Sequence, residues 1–392
     1  VREVFADDSI QIIVELTGDA RRGADYILEA IRRGKHVVTA NNAAVVERWP
    51  EILRAAVEHR VCVGLEGTVG GGMPAVQVIG RHASNDDLQW FAGILNGTSN
   101  FILSRMSEEV AAGRRMSFDD AMEEARARGF AEPCPPEGTA FVDSDLSGTD
   151  TKYKVAILAG LGFRTSVSLD HIYCEGIADG RSASDDRIFP ADLHWLQRKT
   201  NFELKLVGVG QRTEAGLLMR VHPALVDRDS QREMAAVREE SNGLSFFGAW
   251  LGEQFLSGPG AGARPTAISV ASDVYAIARG MEARGGMGVR GEPNVCAETE
   301  VPVTRLDTYR TRGFIRSFSP NVKGVLAAKL KAIEKFVSVN GAANIREFTE
   351  NGMEADYIEI DSVEDADARK AVEALSRLTD VKFVRYLRVL DL

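Results

Sequence analysis

The 392-residue sequence predicts an α/β protein in three parts. Three observations predict it. Over residues 1–70, short apolar runs alternate with amphipathic helical patterns, which implies a parallel sheet. Through the middle of the chain strand patterns dominate, which implies a mixed or antiparallel sheet. From about Arg310 the order is strand, helix, strand, strand, helix, strand, the ferredoxin-like arrangement.

Composition narrows the partners. A 44% hydrophobic content supports a packed core. Lysine and arginine total 47 against 57 acidic residues, a net charge of −10. That balance excludes nucleic acid and an anionic membrane as main partners. It leaves room for a small anionic ligand at a helix N-terminus. Cys62, Cys134, Cys174 and Cys296 are scattered and form no C-x-x-C, which argues against a disulfide framework or zinc site and for a reducing cytoplasm. No apolar run approaches the ~18 residues of a membrane span, and nothing at the start reads as a signal peptide.

The first strand is Gln11–Leu16, closed by Thr17-Gly18-Asp19. Asp19 caps a helix with Tyr26, Ile27, Ala30 and Ile31 at helical spacing, and Gly34 ends it. Lys35–Ala40 is the second strand. Ala43–Arg60 is a helical pattern restarted at Pro50, and Val61–Glu66 is the third strand. Ligands of such sheets bind beyond the carboxyl ends of the strands, which marks Thr17-Gly18, Thr39–Asn42 and Glu66–Thr68. No G-x-G-x-x-G turn precedes them. The pattern reads as an N-terminally incomplete dinucleotide-binding unit, opening on Val1 and lacking its first strand and helix.

Two glycine-rich loops follow. Thr68–Pro74 (TVGGGMP) is either a tight strand-to-helix turn or a loop whose carbonyls, with Glu66, ligate a hard monovalent cation. Gly258–Thr266 (GPGAGARPT), leading into the helical run Ala267–Arg279, is either an ordinary loop or a set of backbone N–H groups for phosphate or nicotinamide. Gly285–Pro293 reads as a linker.

In the middle, the strand Asp87–Ile94 leads through Asn96-Gly97-Thr98-Ser99-Asn100 to the helix Phe101–Ala112. Ser117 caps the helix Phe118–Arg128, and Gly129 ends it. Asp150 and Lys154 are four apart and share a helical face. They form either a surface ion pair or a lysine held by a carboxylate at a site mouth. Phe202–Gly210, Leu217–Val221 and Gly243–Phe255 read as strands. The six histidines show no ligand spacing. The last part places strands at Gly313–Phe318, Val337–Ile345, Ala355–Ile360 and Val381–Val389, with helices at Gly324–Phe336 and Asp365–Leu378. It reads as a self-contained unit.

Taken in series, VTAN (Val38–Asn41), EGTVGGGMP (Glu66–Pro74), GILNGTSN (Gly93–Asn100), GFAEP (Gly129–Pro133), GTDTKYK (Gly148–Lys154) and GPGAGARPTA (Gly258–Ala267) give the chain a resemblance to the homoserine dehydrogenases. The C-terminal unit resembles the ACT regulatory domain of many bacterial members. The resemblance implies a partial Rossmann-type dinucleotide-binding domain (1–70 plus 259–300), an α+β catalytic and dimerisation domain (71–258), and an ACT-like domain (308–392). It implies NAD(P)H-dependent interconversion of L-aspartate 4-semialdehyde and L-homoserine, in threonine, methionine and isoleucine biosynthesis. By resemblance Lys154 is the acid/base, and Asp150 holds it and the substrate hydroxyl. Gly97 and Thr98 hold the substrate carboxylate and Glu132 its ammonium. Glu66, Val69, Gly71 and Met73 match a monovalent-cation (Na+) site. Thr17, Gly18, Asn41, Asn42, Gly260, Ala261 and Gly262 match cofactor contacts, for NADP or NAD. A homodimer or homotetramer is implied, as is an amino-acid effector of the ACT-like unit.

Three positions depart from the family. Asn42 stands where a lysine is usual, Phe130 where a tyrosine is usual, and Ser319–Leu326 (SPNVKGVL) replaces D-x-P-G-V-L. Asn42, Phe130 and the missing glycine turn carry the rival reading, a catalytically impaired homologue that senses amino acids.

Overall fold

The computed structural model describes residues 2–82, 85–131, 143–178, 187–283, 301–347, 349 and 352–392. Glu132, Cys134, Cys296 and the 285–293 segment lie outside the described residues.

The first sheet is small and parallel, in the order β1 (Ile12–Glu15), β2 (His36–Thr39), β3 (Val63–Gly64). Asp19 caps the helix Ala20–Arg32 by accepting from Arg22 N at 2.8 Å. The expected break at Pro50 is real. Two helices, Asn42–Glu47 and Trp49–His59, meet there, with the proline in the first turn of the second. The helix Ala263–Ala283 packs against β2 and β3. The approach is close because Gly64 has no side chain: a Cβ there would lie 2.7 Å from Asp273 Cβ.

The second sheet is large and mixed, with eleven strands. They are β4 (Leu88–Ile94), β5 (Tyr173–Cys174), β6 (Phe202–Thr213), β7 (Gly216–Asp227), β8 (Ser241–Gly248), β9 (Gly252–Pro259), β10 (Val303–Thr304), β11 (Arg310–Ser319), β12 (Val339–Ile345), β13 (Glu354–Glu364) and β14 (Lys382–Val389). Nine of them run in the order β12-β13-β11-β14-β7-β6-β4-β8-β9, and β5 and β10 also pair with β7.

This topology corrects three expectations. The C-terminal unit is not self-contained, because β14 pairs in parallel with β7 through Arg388↔Ala224 and Val389↔Leu225. Buried charges fasten the same junction. Glu175 takes Arg385 at 2.9 Å and Arg388 at 2.7 Å, and Asp192 takes Arg316 at 2.7 Å and the Tyr357 hydroxyl at 2.8 Å. Burial pushes the Glu175 carboxyl up, but the two guanidiniums and the Tyr173 hydroxyl outweigh it and bring it down to about 2.

The run Gly243–Phe255 is likewise no single strand. It is the β8–β9 hairpin, whose turn is tied by Asp86 accepting from Trp250 N and Leu251 N at 3.0 and 2.9 Å. The apolar Trp250 and Leu251 disguise this turn in the sequence, although Gly252 supplies a positive φ of 68°. Two helices also begin about one turn earlier than expected, at Gly97 and Ala263.

The main core lies between the mixed sheet and the helices Gly97–Ala111, Phe118–Ala127, Thr149–Gly162 and Pro190–Lys199. The helix Thr149–Gly162 approaches β6 closely, since a Cβ on Gly208 would sit 2.5 Å from Val155 Cγ2. Val155, Ile157 and Leu158 are fully buried by that packing, which leaves the Asp150–Lys154 face to be met by other elements.

Candidate active site

Asp150 and Lys154 lie one turn apart near the N-terminus of the helix Thr149–Gly162. Lys154 Nζ is 2.6 Å from Asp150 Oδ2 and donates to Leu95 O at 2.7 Å. The side chains are 12% and 17% exposed, so this is no solvated surface pair. Asp150 accepts two further hydrogen bonds, from Asn42 Nδ2 at 2.9 Å and Asn96 Nδ2 at 2.9 Å. Burial pushes the Asp150 carboxyl up, but the Lys154 charge and these three donors outweigh it, and the net direction is down.

Asn96 has two tasks. Its Oδ1 caps the helix Gly97–Ala111 by accepting from Ser99 N at 2.8 Å. Its amide nitrogen donates to Asp150 and, at 2.8 Å, to Asp145 Oδ1. Thr98 Oγ1 lies 2.5 Å from Phe130 O and 2.8 Å from Asp145 Oδ2. One hydroxyl proton serves only one of these acceptors at a time. Burial and then the neighbouring Asp150 charge push Asp145 up to about 6. Asp145 and Asn96 were missed by sequence reasoning. Their signal was the acidic run Asp143–Asp150 and an N-cap residue before Gly97. Phe130, the tyrosine departure, packs its ring 5.1 Å from that of Phe101 and uses its carbonyl on Thr98.

The predicted contacts of the first sheet divide. Thr17 N and Oγ1 both donate to Glu15 Oε1, at 2.7 and 2.6 Å, beside an exposed Gly18 with φ 71°. Asn41 caps the helix Asn42–Glu47 through Ala44 N at 3.1 Å and donates to Asp19 O at 3.1 Å. Buried Glu15 gathers these ends and also takes Thr39 Oγ1 at 2.8 Å. Asn42 differs from its neighbours: it leaves this cluster and meets Asp150.

The glycine loops converge. Gly72 N donates to Pro259 O at 3.0 Å, and Ser269 Oγ donates to Gly71 O at 2.6 Å. A Cβ on Gly71 would lie 2.7 Å from the Gly260 carbonyl, and one on Gly97 would lie 3.6 Å from Ala261 Cβ. Gly70, Gly71 and Gly262 have φ of 80°, 60° and 113°, which only glycine adopts at low cost. Val69 and Met73 are buried in this junction. Glu66 accepts from Val76 N at 3.1 Å and Gln77 N at 2.9 Å, yet burial, aided by Asp273, pushes its carboxyl up to about 7. Among the described residues no three His, Cys, Asp or Glu gather as a metal cluster, so any cation here would depend on Glu66 and backbone carbonyls.

The site therefore joins a buried lysine–carboxylate pair, a helix N-terminus at Gly97-Thr98 and a glycine loop entering a long helix. Comparison with known proteins fits that combination. Residues 74–275 match the homoserine dehydrogenase family, and residues 1–66 match the homoserine dehydrogenase NAD-binding domain. The chain belongs to the homoserine dehydrogenase family. The homoserine dehydrogenase of Synechocystis sp. is 34% identical over 406 aligned positions, covering 99% of this chain and 86% of that protein. The crystal structure of a homoserine dehydrogenase from Thiobacillus denitrificans superposes with a TM-score of 0.83 at 27% identity, covering 99% of this chain and 84% of that one. A hyperthermophilic archaeal homoserine dehydrogenase in complex with NADPH shares the fold over 70% of this chain and 73% of its own, with a TM-score of 0.54 at 24% identity. The protein is an NAD(P)-dependent oxidoreductase with homoserine dehydrogenase activity, which serves aspartate-family amino-acid biosynthesis. Among the described residues no helix is long and apolar enough to cross a membrane.

Proposed function

We propose that Lys154 gives and takes the proton in the interconversion of L-aspartate 4-semialdehyde and L-homoserine. Asp150 holds Lys154 and the reacting hydroxyl. The observation that carries this reading is Lys154 Nζ at 2.6 Å from Asp150 Oδ2, inside a cluster of amides that also fixes Asp150. The nicotinamide cofactor, NADP or NAD, bound along Gly260-Ala261-Gly262, would give the hydride in its reduced form and accept it in its oxidised form. Reduction of the aldehyde develops alkoxide charge, which the Lys154 ammonium stabilises and then protonates. Oxidation of the alcohol releases a proton overall, so alkaline conditions favour that direction. The Leu95 carbonyl and Asp150 hold Nζ at one point, which fixes the direction of proton transfer.

The first-turn N–H groups of Gly97 and Thr98 hold the substrate carboxylate, as helix N-termini do. Glu132 takes the ammonium. Asn42 gives up the family's positive charge and instead holds Asp150 from the cofactor half. Glu66, with the carbonyls of Val69, Gly71 and Met73, would hold a monovalent cation such as Na+. A buried carboxylate pushed up to about 7 is the observation that fits, since a cation beside it would offset the buried charge.

The packing of the helix Ala263–Ala283 on β2 and β3 supports one cofactor domain made of 1–70 and 259–300. The antiparallel β12-β13-β11-β14 order supports a ferredoxin-like, ACT-like unit over 308–392, with an amino acid as effector. We assign the 71–258 domain to dimerisation, in a homodimer or homotetramer. Cys174 is a free thiol, which supports a cytoplasmic enzyme.

Lys154→Ala in the full-length protein tests the central assignment. Single-turnover hydride transfer should fall by ~10²–10⁴, while homoserine and cofactor still bind. Loss of binding with an unchanged bound-state rate would overturn it.

A further inference from the structure

Asn242 lies on β8 and pairs with Gly258 of β9. Its side chain is fully buried, and among the described residues neither Nδ2 nor Oδ1 has a hydrogen-bond partner. No other amide side chain among them is left with both atoms unpaired. A buried amide with nothing to bond is costly, and native chains keep one where something else completes it.

Its position indicates what completes it. Alternate residues of a strand share a face. Leu244 and Phe246 belong to the core beneath the helices, together with Leu95, so Asn242 faces that side. The β4–β8 register pairs Ile94 with Gly243. Carried one residue further, it sets Leu95 opposite Asn242. Leu95 O is the acceptor of Lys154 Nζ. On its other flank the carboxamide rests on the glycine loop, because a Cβ on Gly260 would lie 2.1 Å from Asn242 Oδ1 and 2.8 Å from Nδ2. The amide thus stands between the residue that anchors the catalytic lysine and the backbone proposed to carry the cofactor.

We propose that Asn242 reads the carboxamide of the nicotinamide ring. An amide offers one donor group and one acceptor, and so does the ring's carboxamide. The two are complementary, where a carboxylate, which only accepts, would satisfy only half. Gly260 covers Asn242 with bare backbone, so the ring reaches the amide as the Pro259–Gly262 segment moves aside. The same contact explains why position 260 is glycine. This inference rests on the cofactor reading of that loop given above.

The test is equilibrium titration of the full-length enzyme with three ligands. They are the nicotinamide cofactor, its 3-acetylpyridine analogue and ADP-ribose with or without the 2′-phosphate. The analogue lacks the amide NH2, and the last compound has no nicotinamide ring. The wild type should bind the nicotinamide form ~5–10-fold tighter than the analogue, the size of one hydrogen bond. Asn242→Ala and Asn242→Leu should erase that difference and leave the ringless compound within about twofold. The ligand-free Leu variant should melt no lower than wild type, since it replaces two unpaired polar atoms with apolar ones of similar volume. Discrimination retained in both variants would overturn the proposal. So would a Leu variant that melts lower and binds all three ligands as wild type does, which would make Asn242 structural. Failure of every protein, wild type included, to bind the ringless compound would sink the cofactor-loop reading itself, and this inference with it.

Discussion

Two lysine–aspartate pairs in this molecule share one geometry. Lys154–Asp150 and Lys329–Asp356 each close at 2.6 Å, and both are largely buried. Their surroundings differ. Lys329, on the helix Val325–Ile333, reaches a strand residue and is sealed at 0% exposure. Ser319 Oγ takes a further bond at 2.8 Å, and Asn344 donates to the other Asp356 oxygen at 2.9 Å. This pair ties a helix to a sheet. Lys154 and Asp150 sit on one helix and tie nothing together by themselves. They are instead met by Asn42 from the cofactor half and by Leu95 and Asn96 from the end of β4. Pair distance therefore does not identify a catalytic dyad. What separates the two is whether the pair joins elements or is itself held by them.

The contrast breaks if the two lysines respond alike. The largest expected effect is a crossed one. Lys154→Ala should lose most of its turnover and little stability. Lys329→Ala should lose ~3–5 kcal/mol in urea unfolding, the cost of stranding a buried charge, with turnover per folded molecule unchanged. Next in size, the double change Lys329→Met with Asp356→Leu should be neutral or stabilising by ~1–4 kcal/mol, since apolar residues replace a structural ion pair well. No such replacement of Lys154 and Asp150 should leave an active enzyme. Asn42→Ala should be smaller still: it removes one hydrogen bond to Asp150 and should lower kcat by ~5–10-fold with the melting temperature nearly unchanged.

The smallest effect concerns Glu66. Its folded pKa of about 7 lies above the ordinary 4.5. The folded state therefore holds this proton more tightly than the unfolded state. Stability from this group is full below pH 4.5 and is lost as pH rises towards 7. A cation bound there, as proposed above, would take the proton's place as pH rises. Sodium chloride against choline chloride should raise the melting temperature by ~2–4 °C at pH 8 and hardly at all at pH 5. Glu66→Gln should remove both the pH dependence and the sodium effect.

Much of this was legible in the sequence, for identifiable reasons. The D-x-x-x-K spacing survives any tertiary arrangement, because a helix puts i and i+4 on one face. The C-terminal strand and helix order also reads directly, since each element carries its own periodicity. What failed to read depends on partners distant in sequence. The bond from Asn42 to Asp150 spans 108 positions, so no local pattern announces it. Asn242 is an unremarkable strand asparagine until Gly260 folds over it. The pairing of β14 with β7 depends on two long strand edges meeting, which no local pattern announces. The β8–β9 turn was hidden because Trp250, although 89% exposed, continues an apolar run.

Small-amine rescue of Lys154→Ala tests most directly that Lys154 carries the proton. With the full-length enzyme saturated in homoserine and cofactor, added primary amines should restore hydride transfer, and the restored rate should follow the basicity of the amine. A Lys154→Ala enzyme that transfers hydride within about tenfold of the parent rate, and is indifferent to every amine, would contradict the account.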